Sequence, residues 1–190
     1  MKTTATIAGL FCLAATAAAA NDYAPAMQSY LDENVSAWMN DPVLVEAIKA
    51  QNDAHSGLDA AKIEELDQAW RAEVGGSDTP TITPVLENAA ADFLRAKVAE
   101  GGGAITEIFV MDNHGLNVAA SDVTSDYWQG DEAKFQKTYP MGAGTVFIDE
   151  VEFDESTQTF QGQVSVTIVD PASGEAIGAM TLGLNAEALM

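Results

Sequence analysis

Between Ile105 and Leu184 apolar residues return at every second position, a period that only extended strands satisfy. The run Ile105 to Met111 is followed by the turn formers Asp112-Asn113-His114-Gly115 and by a returning strand from Leu116 to Ala120. A third strand is expected over Thr145 to Phe153. In the fourth, Phe160, Gly162, Val164, Val166 and Ile168 share one face, and Gln161, Gln163, Ser165 and Thr167 share the other. Asp170 to Gly174 then turns the chain into a last strand, Ala176 to Leu184. Five antiparallel strands are therefore expected. They are interrupted once, by a segment containing Tyr127-Trp128-Gln129-Gly130-Asp131-Glu132 together with Phe135 and Tyr139.

Upstream the period is helical. Met27, Leu31, Val35 and Trp38 recur at three- and four-residue steps and mark one helix face. Asp41-Pro42 restarts the helix, with Asp41 as cap and Pro42 at a position where no N–H is needed. A third helix carries Ile63, Leu66, Trp70 and Val74 and stops at Gly75-Gly76. A fourth opens at Pro84, runs through Leu86, Ala90, Phe93 and Leu94, and ends at Gly101-Gly102-Gly103. That triple glycine lacks the Lys-Ser/Thr of a phosphate-binding loop. The fold class expected is α+β, with long N-terminal helices packed on the apolar face of the sheet. The polar face of the fourth strand either meets water or floors a cleft roofed by residues 121 to 143, and the aromatic content of that insertion favours the cleft.

Residues 1 to 20 read as an export signal. Lys2 supplies a positive end, Ile7 to Ala15 an apolar core too short to span a bilayer, and Ala17 to Ala20 small residues suited to cleavage. The only cysteine, Cys12, falls inside this segment, which excludes disulfides and thiolate chemistry from residues 21–190. The expectation is one soluble periplasmic domain over 21–190, made of a helical flank (21–103) and a sheet (104–190). Eight basic residues against twenty-nine acidic ones argue against nucleic acid, because phosphate contacts need Lys and Arg. The acidity suits either a repelling, soluble surface or a field that draws in cations.

Three stretches carry a family resemblance: Phe109-Val110-Met111-Asp112-Asn113-His114-Gly115, the Tyr127 to Glu132 insertion, and Val169-Asp170-Pro171-Ala172-Ser173-Gly174-Glu175-Ala176-Ile177-Gly178. In this order they resemble the Cache (PDC) family, the PAS-like extracellular sensor domains of chemoreceptors and sensor kinases. The resemblance spans essentially all of 21–190. It implies a PAS-like five-stranded sheet with a helical insertion between strands 2 and 3, binding of a small ligand, and signal transduction through a membrane partner. It also implies that Asp170 occupies the place of the acid that holds a ligand ammonium group in amine- and amino-acid-binding members. The arginine that those members use for a ligand carboxylate has no clear counterpart here.

The candidate ligand-binding residues are Asp112, Tyr127, Trp128, Lys134, Ser165, Thr167 and Asp170. Tyr127 and Trp128 offer flat faces that can hold a cation, or else plug the insertion onto the sheet. Lys134 can pair with a ligand carboxylate, or with a neighbouring acid in a surface ion pair. Asp112 and Asp170 can contact an amine, or can simply close turns with their own backbone. Ser165 and Thr167 would supply hydrogen bonds from the floor. A short organic acid and an organic amine are the two ligand classes. His55 and His114 stand apart without a cluster of metal ligands, and Asp154-Glu155-Ser156 falls short of a calcium loop. No nucleophile motif points to an enzyme, and no cofactor is called for. The alternative is an interaction module with a closed pocket that dimerises or docks on a membrane receptor through the Met27–Trp38 helix face.

Overall fold

The computed structural model describes residues 22–154 and 159–190. The expected export signal and the Asp154-Glu155-Ser156 stretch as a unit lie outside them. Helices come first: α1 (Ala24–Tyr30), α2 (Pro42–His55), α3 (Ala60–Glu73), α4 (Thr83–Leu86) and α5 (Ala89–Glu100). Then come β1 (Ile105–Met111), β2 (Asn117–Ala120), the short helix α6 (Ala133–Gln136), β3 (Val146–Ile148), β4 (Glu152–Asp154), β5 (Thr159–Val169) and β6 (Ala176–Asn185). Two single turns of 3-10 helix, Tyr139–Met141 and Ala186–Leu189, complete the chain. No helix among the described residues is long and apolar enough to cross a membrane.

Local chemistry sets the helix starts. Asp41 accepts from the backbone N–H of Val43, Asp59 from that of Lys62 and Asn88 from that of Ala91, each at 2.9 Å. Asn88 also divides the expected fourth helix in two, because its amide donates to the carbonyls of Pro84 and Val118 and so pins the junction of α4 and α5 to β2. The first helix face is broken as well. A π-helical turn, Leu31–Val35, follows α1, and the Ser36 N–H reaches back to the Leu31 carbonyl.

The sheet is antiparallel throughout, in the order β2-β1-β6-β5-β3, with β4 also paired to β5. This is the PAS-like α+β arrangement expected, with six strands where five were read. The third strand is split because the Asp149 carboxylate captures the N–H of Glu150 at 2.9 Å and withdraws it from the ladder. The pairing slips by one residue there, from Ile148↔Val164 to Glu152↔Gln161.

Alternation then sorts the two faces. Val164, Val166 and Ile168 of β5 join Met180, Leu182 and Leu184 of β6 in a core with Met27, Leu31, Val35, Leu44, Val45, Ile48 and Leu94. The packing of the helices on this face follows the sequence expectation for α1, α2 and α5. Helix α3 departs from it. Its Ile63 and Trp70 enter a second core on the other face, with Phe109, Met111, Ala179, Tyr127 and Phe135.

Candidate functional site

The strand face opposite the main core carries Glu107, Phe109 and Met111 on β1, Ala179, Thr181 and Gly183 on β6, and Gln163, Ser165 and Thr167 on β5. The register aligns them in rows: Met111, Ala179 and Thr167; then Phe109, Thr181 and Ser165; then Glu107, Gly183 and Gln163. The insertion covers the first two rows. Helix α6 and the Tyr139–Met141 turn pack on β5, leaving Ser165 and Thr181 fully buried and Thr167 almost so. The Ser165 and Thr181 hydroxyls pair at 2.9 Å, whereas the Thr167 hydroxyl has no partner among the described residues.

The insertion is fastened by α3. The Tyr127 ring stacks on Trp70, centroids 5.3 Å apart and planes 7° from parallel. One oxygen of Asp67 accepts the N–H groups of Tyr127 (2.9 Å) and Trp128 (3.0 Å), while its other oxygen holds Arg71. The Trp128 indole donates to the His114 carbonyl at 2.9 Å and so ties the insertion to the β1–β2 turn. That contact demands glycine on both sides. Gly115 has φ of +83°, and a side-chain carbon on it would lie 2.6 Å from Gly130 Cα. Burial, with the Asp112 charge second, pushes the Tyr127 phenol well above its ordinary value.

Asp112 is fully buried. One of its oxygens accepts from the N–H groups of His114 and Leu116, which closes the turn. The other meets Gln51 at 3.0 Å and His55 Nδ1 at 2.7 Å, which joins the turn to α2. Asp170 lies away from the insertion, on the helix side. Lys49 donates to it at 2.6 Å and the Ala172 N–H at 2.9 Å, and these bonds hold its carboxyl below the usual range. Lys134 sits 5.4 Å above the Phe109 ring, donates to Gln129 at 3.1 Å and lies 3.0 Å from Glu132. The structure thus brings Tyr127, Trp128, Lys134, Ser165 and Thr167 to the insertion side of the sheet, with Asp112 at the turn beside them. It places Asp170 on the opposite side.

Beyond the insertion the same face opens. A groove of about 470 Å³ runs across the Glu107–Gly183–Gln163 row to the slipped edge, where Asp149, Glu150, Glu152 and Phe153 form its wall. The size suits a small molecule. Among the described residues, four carboxylates line it and no basic side chain does. Gly183 lets the Glu107 stem cross the floor, since a side-chain carbon there would lie 2.8 Å from Glu107 Cγ. Burial raises the Glu107 carboxyl above its ordinary value, opposed by the nearby charge of Lys134 and a bond from Gln163. Sequence reasoning named Gln161 and Gln163 as part of the polar face but passed over Glu107. Its signal was a lone carboxylate inside the apolar run Ile105–Met111, in phase with Phe109 and Met111.

No family model and no curated protein matches the sequence. Among solved structures the chain is similar to the ligand-binding domain of the Campylobacter jejuni chemoreceptor Tlp3 in complex with 4-methylisoleucine. Identity is 12%, coverage is 88% of this chain and 61% of that chain, and the TM-score is 0.40. It is also similar to the sensor domain of the V. cholerae histidine kinase DctB, at 14% identity over 88% of this chain and 53% of that one, with a TM-score of 0.42. A third is the ligand-binding domain of the Pseudomonas fluorescens chemoreceptor CtaA in complex with L-serine, at 14%, 86%, 61% and 0.35 in the same order. The chain spans 53% to 65% of the length of the first four sensor domains it matches. The structures matched are sensor and ligand-binding domains, the class that the sequence motifs resemble. At these TM-scores the likeness carries no inference about ligand or partner.

Proposed function

We propose that this chain is an exported ligand-binding sensor module of the Cache/PDC kind whose ligand is a small organic amine. The observation that carries the reading is the groove beside the insertion, lined by Glu107, Asp149, Glu150 and Glu152 with no basic residue among the described ones. An ammonium group there replaces water with charge-assisted hydrogen bonds to carboxylates, and Gln163 and Phe153 contact the carbon skeleton. An organic acid fits less well. It meets like charge in the groove, and Lys134, whose charge Glu107 feels, is already held by Glu132 and Gln129. The work done is binding, with the occupied groove presented to a membrane partner.

The interaction-module alternative needs the Met27–Trp38 face exposed, yet Met27, Leu31 and Val35 are buried in the main core and Trp38 packs edge-on against Phe93.

A thermal-shift panel of mono- and diamines beside short mono- and dicarboxylates tests the proposal. A true ligand at 100 times its Kd stabilises by about 2.7 kcal/mol. Amines are expected to raise Tm in the wild type and not in Glu107→Gln. Stabilisation by carboxylates alone, or by neither class, would overturn the amine reading.

A further inference from the structure

A second surface lies on the helix side of the molecule. Helix α2 stands as a ridge whose exposed residues past its first turn are Glu46, Lys49, Ala50, Asp53 and Ala54. A groove runs along each flank. One, of about 580 Å³, is lined by Ala47, Ala54, Pro84, Ala89, Ala90 and Val118, with Gln51, His55 and Asn88 among them. The other, of about 500 Å³, is bounded by Pro42, Val45, Pro171 and Ala172, with Asp170 at its side. Glu46 and Ala50 line both grooves. The ridge is therefore low at its centre, edged by Glu46 and Asp53, and flanked by two hollows whose apolar surface comes mainly from alanines, prolines and valines. The cation on the ridge, Lys49, is paired with Asp170.

We infer that α2 and its two flanking grooves form a docking surface for a cationic amphipathic helix of a partner protein. The occupant follows from the chemistry of the ridge. Small side chains let a second helix approach to the usual 8–10 Å or so between axes. Apolar residues of such a helix at i, i+3, i+4 and i+7 drop into the hollows. Lys or Arg on its flanks then meets Glu46 and Asp53. Charge selects among the candidates: a second copy would set these same carboxylates against each other on chains of net charge −21, and an anionic membrane is repelled in the same way. This surface lies on the opposite face of the sheet from the acidic groove, so it stands independently of the amine reading.

The test titrates the full chain with an amidated Lys-Leu-Ala peptide built of repeated Lys-Leu-Ala-Lys-Leu-Ala-Lys heptads, which places Leu or Ala at i, i+3, i+4 and i+7, and with the Glu-Leu-Ala peptide that has Glu for every Lys as its opposite in charge. The Lys-Leu-Ala peptide is expected to bind the wild type, and to bind Glu107→Gln equally well. Ala50→Trp, which fills both grooves from an exposed position, is expected to weaken binding by about tenfold or more, or 1.4 kcal/mol. The double variant Glu46→Lys with Asp53→Lys is expected to do the same without filling either groove, so it carries the test if Ala50→Trp fails to fold. Equal binding to wild type and to the folded variants would show diffuse adsorption and overturn the inference. So would preference for the Glu-Leu-Ala peptide, or self-association of the wild type that Ala50→Trp abolishes.

Discussion

Glu107 is the residue on which most of the chemistry converges. It sits in an apolar strand, lines the acidic groove and feels Lys134. Because burial raises its carboxyl in the folded state, its contribution to stability is fully present below the ordinary carboxylate value. That contribution is lost as pH rises through the higher folded value. Glu107→Gln removes the titration. Relative to the wild type, its Tm is therefore expected to improve as pH climbs from about 4 through the range just above the ordinary value. An amine in the groove acts with the opposite sign, favouring the ionised carboxylate, so amine affinity in the wild type should rise over the same pH interval, while the variant shows no amine-induced rise in Tm across it. Melting curves across pH, with and without amine, read both. A wild type and a variant that run parallel would remove Glu107 from the groove's chemistry.

At the scale of elements, the insertion is held from two sides, by β2 and its turn, where Asn117 and Gly115 pair with Tyr127 and Gln129, and by α3 through Asp67. Asp67 is buried, and it satisfies two N–H groups of the insertion together with Arg71. Asp67→Ala leaves both donors without a protein partner, at about 1–3 kcal/mol for each buried group. A Tm loss of several degrees is expected for a chain of this length, with hydrogen exchange quickened at Tyr127 and Trp128 ahead of the main core. Uniform exchange across the chain would count against a local clamp.

This clamp was not legible in the sequence, since Asp67 and Trp70 lie some sixty residues from their partners and no local period links them. The aromatic pair did announce that the segment covers something. What it met was Trp70 and the second core. The strands were legible wherever alternation was unbroken, as in β5, whose two faces fell to the core and to the polar side as read. Legibility failed where a side chain overrode the backbone pattern, at Asp149 in the third strand and at Asn88 between α4 and α5. The cleft expected under residues 121 to 143 is not what forms: the insertion packs on the Ser165 and Thr167 rows and buries them, and the groove opens past it, at the Glu107, Gln161 and Gln163 end of the sheet.

Across the whole molecule, a net charge of −21 acts against compaction, because carboxylates spread in the unfolded chain come closer together on folding. Ion pairs such as Lys62–Glu65 and Arg95–Asp92 offset little of this, since they join exposed neighbours on their own helices. Screening therefore matters more than pairing. Raising sodium chloride from about 0.02 M to about 0.5 M shortens the screening length from roughly 20 Å to roughly 4 Å. Tm should climb over that interval, most steeply at the start, when interactions across the full width of the domain are first cut off. Sodium sulfate at matched ionic strength separates this from surface exclusion, which strengthens apolar burial and continues at high concentration. The variant carrying Glu46→Lys with Asp53→Lys begins with less repulsion, so its rise with chloride should be shallower than the wild type's. A Tm indifferent to chloride but rising with sulfate would mean that core packing, rather than the acidic surface, limits the stability of the fold.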